Sequence, residues 1–286
     1  MNSKILDGKA LANQILTKVQ FVIDELRAQN KRQPALAVVI VGNNPASQIY
    51  VRNKQNACKK VGIFSIEYAM PDDATQEGLL NLIHQLNEEP RIDGILVQLP
   101  LPKHLNSKDV MDAISPSKDV DGFHRYNMGS LALQDPNICP CTPHGIIYLL
   151  DSAGFDYKGK HAVVIGASNI VGRPMALELL NKGATVTICN SKTRDIAQFT
   201  KTADVIIVAV GKPKFLQKDW IKDNSIIIDV GINRLPDNSI CGDADFDNLL
   251  EKVQYITPVP GGVGPMTIAM LIQNTLTCYE HSNSHL

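Results

Sequence analysis

Apolar residues recur at helical spacing over residues 4–30, where Ile5, Leu11, Ile15, Val19, Val22, Ile23 and Leu26 fall on one face. A continuous apolar run follows at 35–42 and predicts a strand covered on both faces, as in a parallel sheet. The pattern then predicts a helix over 45–61, a strand over 63–69, a helix over 75–88 and a strand over 94–100. Residues 115–145 are rich in Pro, Gly, Asp and His and break the rhythm, as a connecting region carrying functional loops would. A second series of strands follows at 161–165, 184–189, 204–210 and 225–229, with helices expected between them. A strongly apolar helix over about 266–280 ends the pattern, and its position suggests that it crosses back to the first series. Strand–helix alternation given twice predicts two α/β domains.

Composition adds exclusions. The 286 residues carry 28 Lys+Arg against 29 Asp+Glu, so nothing points to nucleic acid or a polybasic membrane surface. No apolar run approaches a membrane span, and the N-terminus lacks the apolar core of a signal peptide. The six cysteines are scattered without a CxxC pair, and the seven histidines form no metal-binding spacing. The expectation is a cytoplasmic protein with reduced thiols and no metal.

Three places carry candidate chemistry. The strand at 161–165 ends in Gly166-Ala-Ser-Asn-Ile-Val-Gly172-Arg-Pro174, with a helix after it. That context suits a phosphate-binding turn, although the pattern departs from G-x-G-x-x-G and an ordinary strand–helix turn would also satisfy it. At the end of the next strand, NAD sites place an acidic residue for the ribose. Here stand Asn190, Ser191, Lys192, Thr193 and Arg194, without a carboxylate. Hydroxyls and cations fit the 2′-phosphate of NADP, and a solvated turn is the other reading.

On the 45–61 helix, Tyr50, Lys54, Ala57, Cys58 and Val61 share one stripe, with Arg52, Asn56, Lys59 and Lys60 opposite. Lys54 therefore either snorkels to the helix edge or sits in a cleft where it can move protons. Gln98 interrupts the apolar strand before Pro100, at a strand end where α/β sheets bind ligands. Asp121 is a candidate carboxylate, and it also belongs to an Asp-Gly turn pair.

Taken together, the residues resemble the bifunctional methylenetetrahydrofolate dehydrogenase/cyclohydrolase family in its bacterial two-activity form. The matching segments are Tyr50-Val-Arg-Asn-Lys54, Gly94-Ile-Leu-Val-Gln-Leu-Pro-Leu-Pro102, Lys118-Asp-Val-Asp-Gly-Phe-His124 with Asn127-Met-Gly129, Cys141-Thr-Pro-His-Gly145, the 166–174 loop and Pro260-Gly-Gly-Val-Gly-Pro-Met-Thr267. They span nearly the whole chain in the family's order. The resemblance implies two α/β domains with a cleft between them: a folate-binding catalytic domain over 1–140 plus the C-terminal helix 266–286, and a Rossmann-like NADP-binding domain over 141–265. It implies a homodimer acting on tetrahydrofolate derivatives. By resemblance, Lys54 is the catalytic lysine, Tyr50 lies beside it over the substrate, Gln98 hydrogen-bonds it and Asp121 anchors the pterin. Pro260, Gly261 and Gly262 become part of the substrate wall, and Gly166, Ala167, Ser168, Ser191 and Ile232 fall where relatives contact NADP. Some relatives carry arginine where this chain has Ala167, so Arg173 and Arg194 become candidates for the missing charge. A dehydrogenase of another small acid and a non-enzymatic NADP-binding regulator are the rival readings. The first does not account for Lys54, Gln98 and Asp121 together, and the retention of Lys54 speaks against the second.

Overall fold

The computed structural model describes residues 4–283. They form two compact units: one holds the chain up to Ala12 together with Thr142–Thr267, the other Asn13–Cys141 with the chain from Ile268 onward.

The unit containing Asn13–Cys141 has a three-stranded parallel sheet. Its elements are α1 (Gly8–Ala28), β1 (Ala35–Val41), α2 (Pro45–Val61), β2 (Phe64–Met70), α3 (Gln76–Glu88), β3 (Gly94–Val97), α4 (Ser107–Ala113) and α5 (Arg125–Ala132). The strand order is β2-β1-β3. β1 is central and buried at every position, which is why its sequence is apolar without alternation. β2 is an edge strand, and its first residue, Phe64, is 60% exposed. Leu79, Ile83 and Leu86 of α3 pack with Ala37, Val39, Ile95 and Val97 into one core cluster. This burial is the main force holding the helix on the sheet.

The other unit has a five-stranded parallel sheet ordered β10-β7-β6-β4-β5. Its elements are α6 (Cys141–Ser152), β4 (His161–Ile165), α7 (Gly172–Asn181), β5 (Thr185–Cys189), α8 (Ala197–Thr200), β6 (Val205–Val208), β7 (Ile226–Asp229), the hairpin β8 (Asn233–Arg234) and β9 (Ile240–Cys241), α9 (Phe246–Leu249) and β10 (Tyr255–Ile256). The last helix, α10 (Val263–Asn283), starts here, and its residues from Ile268 onward belong to the unit containing Asn13–Cys141. β4, β6 and β7 are buried almost completely.

Three sequence expectations change. The first helix begins at Gly8, because the Asp7 carboxylate caps it by accepting from the Ala10 N–H at 2.9 Å. Ile5 instead bridges Ile256 in parallel fashion. The 115–145 stretch contains α5 and the start of α6. The α5 cap comes from His124, whose Nδ1 accepts from the Tyr126 N–H, and histidine is not a standard capping signal. Between β6 and β7 there is one 3₁₀ turn, Lys218–Trp220, where a helix was expected. Pro213 and the absence of a helical apolar period over 212–225 account for it.

Candidate active site

The lysine is placed by α2. Asn44 caps this helix, its Oδ1 accepting from the Ala46 and Ser47 N–H groups, and Pro45 occupies the first turn. Gly62 ends it at φ +90°, a left-handed conformation that favours glycine. The buried residues of α2 are Ser47, Val51, Lys54, Ala57, Cys58 and Val61. Lys54 therefore points inward and is only 9% exposed, so it does not snorkel. Its Nζ donates to Gln98 Oε1 at 3.1 Å. Gln98 is itself fixed twice: its N–H donates to the Val39 carbonyl at 2.8 Å, and its Nε2 donates to the Leu99 carbonyl at 2.6 Å. The second bond turns Oε1 toward the lysine.

Tyr50 is corrected in one respect. The helical wheel placed it in the inward stripe, yet Val51 takes that place and Tyr50 is 40% exposed. Its ring stands at the solvent margin, one turn before Lys54. Ser47, which sequence reading missed, is 4% exposed, and its Oγ has no hydrogen-bond partner among the described residues. Its signal was present: seven residues before Lys54 is the same helix face.

Asp121 follows a different logic from its neighbour Asp119. Asp119 is buried, and its carboxylate accepts from the N–H groups of Gly122 and His124 and from Asn127 Nδ2. It closes the turn. Gly122 sits at φ +74°, and a Cβ there would press on the backbone of Cys139 and Pro140. Asp121 has no hydrogen bond or ion pair among the described residues. Burial pushes its carboxyl up to about 6; the Lys54 charge pulls the other way and Asp119 adds to the rise. The segment is held from behind by α10, where Asn274 Nδ2 donates to the carbonyls of Val120 and Cys139, each at 2.9 Å. The Cys141 thiol donates to the same Val120 carbonyl, and burial raises its pKa well above the usual value.

A carboxyl raised in the folded state stabilises below its ordinary value, near 3.9, and loses that contribution as pH climbs through the folded value. Asp121→Asn removes the cost of burying charge. Its melting temperature is expected to exceed the parent's at pH 8, and the gap should close toward pH 4. The rise to about 6 caps the effect at about 3 kcal/mol. Thermal unfolding of both proteins across that range checks it, and a gap independent of pH would refute the raised carboxyl.

The dinucleotide candidates lie in the other unit. β4 leads to Gly166 at φ +118°, whose N–H donates to the Cys189 carbonyl. A Cβ at Gly172 would overlap the Gly166 carbonyl, so both glycines are needed for the helix to approach the strand end. Ser168 Oγ accepts from the Val171 N–H, and Arg173 Nε donates to the Ala167 carbonyl, both at 3.2 Å. Ser168, Asn169 and Ile170 remain exposed. After β5 a closed turn forms: Asn190 N–H donates to Thr193 Oγ1, and Lys192 N–H to Asn190 Oδ1. Ser191 and Lys192 sit exposed at its tip. Ile232, half exposed, follows β7. Gly261 takes φ +111°, its carbonyl accepts from Lys9 N–H, and Gly262 packs on Gly8, so the 260–262 loop leans on the start of α1. A tight glycine turn, an exposed loop before a helix N-terminus and no carboxylate at 190–194 form a donor set that fits a phosphorylated dinucleotide.

Two family profiles match the chain: the tetrahydrofolate dehydrogenase/cyclohydrolase catalytic domain over residues 6–121, and the NAD(P)-binding domain of the same family over residues 140–283. The chain belongs to the tetrahydrofolate dehydrogenase/cyclohydrolase family. Solved structures agree. The bifunctional methylenetetrahydrofolate dehydrogenase/cyclohydrolase of Campylobacter jejuni is 49% identical, with 99% of each chain covered and a TM-score of 0.95. The Trypanosoma brucei enzyme, solved with NADP and an inhibitor, is 37% identical over 97% of each chain, with a TM-score of 0.93. The Thermoplasma acidophilum bifunctional enzyme is 36% identical over 98% of this chain and 100% of its own, with a TM-score of 0.92. This tetrahydrofolate dehydrogenase/cyclohydrolase is therefore an enzyme of one-carbon metabolism with both activities, built from two α/β domains with parallel sheets. The catalytic-domain match contains Tyr50, Lys54, Gln98 and Asp121, and the NAD(P)-binding match contains every dinucleotide candidate. Among the described residues no helix is long and apolar enough to cross a membrane.

Proposed function

We propose that the chain oxidises 5,10-methylenetetrahydrofolate with NADP to 5,10-methenyltetrahydrofolate and hydrolyses that cation to 10-formyltetrahydrofolate at the same folate site. The observation that carries this reading is the buried Lys54, held by Gln98 in the unit that also presents the unpartnered Asp121 carboxylate. Hydride loss from the methylene carbon leaves an amidinium cation and releases no proton, so the protein's task in this step is positioning. NADP, when bound, accepts the hydride. Asp121 accepts N–H bonds from the pterin's amino group and ring, and the Tyr50 ring covers the substrate at the margin. Hydrolysis then needs proton movement at the attacking water and at the departing nitrogen. Lys54 moves those protons, and Gln98 Oε1 fixes its Nζ. Pro260, Gly261 and Gly262 contribute to substrate binding, and Gly166, Ala167, Ser168, Ser191 and Ile232 hold the dinucleotide. The protein acts as a cytoplasmic homodimer in this reading, and sedimentation of the purified enzyme tests the stoichiometry.

The direct test is an absorbance assay with methylenetetrahydrofolate and either NADP or NAD. Methenyltetrahydrofolate and NADPH both absorb in the near-UV, and acid treatment separates them. Absence of both products would overturn the reading. The cofactor preference has its own test. Ser191→Asp places a carboxylate where a 2′-phosphate would sit, and is expected to lower kcat/KM for NADP far more than for NAD. A preference of at least about 10-fold in the parent needs only about 1.4 kcal/mol, within reach of one charge-assisted hydrogen bond. If the parent uses both cofactors equally, or the ratio does not move in the variant, the 190–194 turn is merely solvated and the NADP assignment fails.

A further inference from the structure

Two carboxylates in the NAD(P)-binding unit are buried with no cation in contact among the described residues. Asp243 is 0% exposed and Asp229 is 2% exposed. Asp243 Oδ2 accepts from the N–H groups of Val210 at 2.6 Å and Gly211 at 2.8 Å, and Oδ1 accepts from Lys212 N–H at 2.9 Å and Asn233 Nδ2 at 2.8 Å. Four donors satisfy one carboxylate. Asp229 Oδ1 accepts from the N–H groups of Gly231 and of Asp243 itself, and Oδ2 accepts from Ala244 N–H. Its own N–H donates to Thr257 Oγ1 at 2.8 Å, tying it to the end of β10. The fit is close. A Cβ at Gly231 would overlap the Asp243 carboxylate, and one at Gly242 would overlap that of Asp229.

Burying uncompensated charge is costly, and these groups are held only by backbone dipoles and one amide. Burial pushes the Asp229 carboxyl up to about 6, against the N–H bonds that lower it. The place of the pair in the fold suggests what that cost obtains. Val210, Gly211 and Lys212 leave the C-terminal end of β6, and Gly231, Ile232 and Asn233 leave that of β7. Ligands of doubly wound sheets bind outside those ends. Ile232 is suspended between an N–H held by Asp229 and an amide held by Asp243.

We infer that Asp243, with Asp229 behind it, is a positioning residue for the dinucleotide site, clamping the loops after β6 and β7 in the form the cofactor meets. Its charge is what grips: an amide at 243 offers one accepting atom and turns an N–H pair toward N–H donors. The inference rests on the dinucleotide site that family membership gives, and is independent of which dinucleotide fills it.

The test uses whichever of NADPH and NADH the parent binds more tightly, by fluorescence titration, together with hydrolysis of methenyltetrahydrofolate measured without cofactor. Asp243→Asn is expected to raise the dinucleotide Kd at least 10-fold and its KM in step. kcat at saturating cofactor should recover, and hydrolysis should stay within about two-fold of the parent. Asn233→Ala removes one tether and should raise the same Kd two- to five-fold. It decides the matter if Asp243→Asn does not fold. An unchanged Kd in the folded variant, or parallel loss of binding and hydrolysis, would reduce the pair to scaffolding and overturn the inference. A parent that binds neither dinucleotide would refute the cofactor site itself.

Discussion

Lys54→Met is expected to slow hydrolysis of methenyltetrahydrofolate by more than about 100-fold, the usual scale of a lost proton-transfer group. Methionine matches the apolar length of lysine and fits the buried stripe of α2, so the variant should keep its fold. What it removes is the ammonium and its bond to Gln98 Oε1. A buried acceptor then loses its partner, at a stability cost of about 1–3 kcal/mol that circular dichroism melting will show separately. Lys54→Arg should not restore hydrolysis, because a guanidinium does not give up its proton and its fork needs more room. Dehydrogenase activity should fall less than hydrolysis, since hydride loss calls for no proton transfer. Near-normal hydrolysis by a folded Lys54→Met protein would remove Lys54 from the mechanism.

Asp121→Ala is expected to weaken folate binding by a few kcal/mol, the size of a lost pair of charge-assisted hydrogen bonds, and to leave dinucleotide affinity nearly unchanged. Calorimetry with tetrahydrofolate and with NADP, in parent and variant, reads both numbers. Intact folate affinity with lost NADP affinity would reverse the assignment. Because Asp121 has no partner of its own and its burial is unfavourable when charged, binding and stability should move in opposite directions. A residue serving the fold would move them together.

Much of this was readable from the chain. β1, β3, β4 and β7 are apolar runs because both faces of their sheets are covered, and their shortness and β-branched content mark them as strands. Lys54 showed itself as a charge on an otherwise apolar helix face. Tyr50 and Val51 are adjacent, and a helical wheel cannot decide which of two neighbours turns inward when the partner surface is unknown. α5 was hidden because a histidine caps it and its sequence has little amphipathic contrast. The Asp229–Asp243 pair was hidden for another reason. Most of its partners are backbone N–H groups, several of them on residues far away in sequence, and a backbone donor leaves no mark in residue identity. Asp119 and Asp121 could not be told apart by type or context. Only the hydrogen bonds show that one is used by the turn.

The division between those two aspartates bears on how this protein tolerates change. Position 119 is committed: three donors converge on it, and an apolar substitution leaves them in a buried place without an acceptor. Position 121 carries no such obligation and, on the proposed folate-binding reading, is open to redesign toward altered pterins. A screen that scored activity alone would put both positions in one class, as sites that cannot be touched. Counting soluble, folded molecules alongside activity would separate them, with 119 losing protein and 121 losing only its ligand.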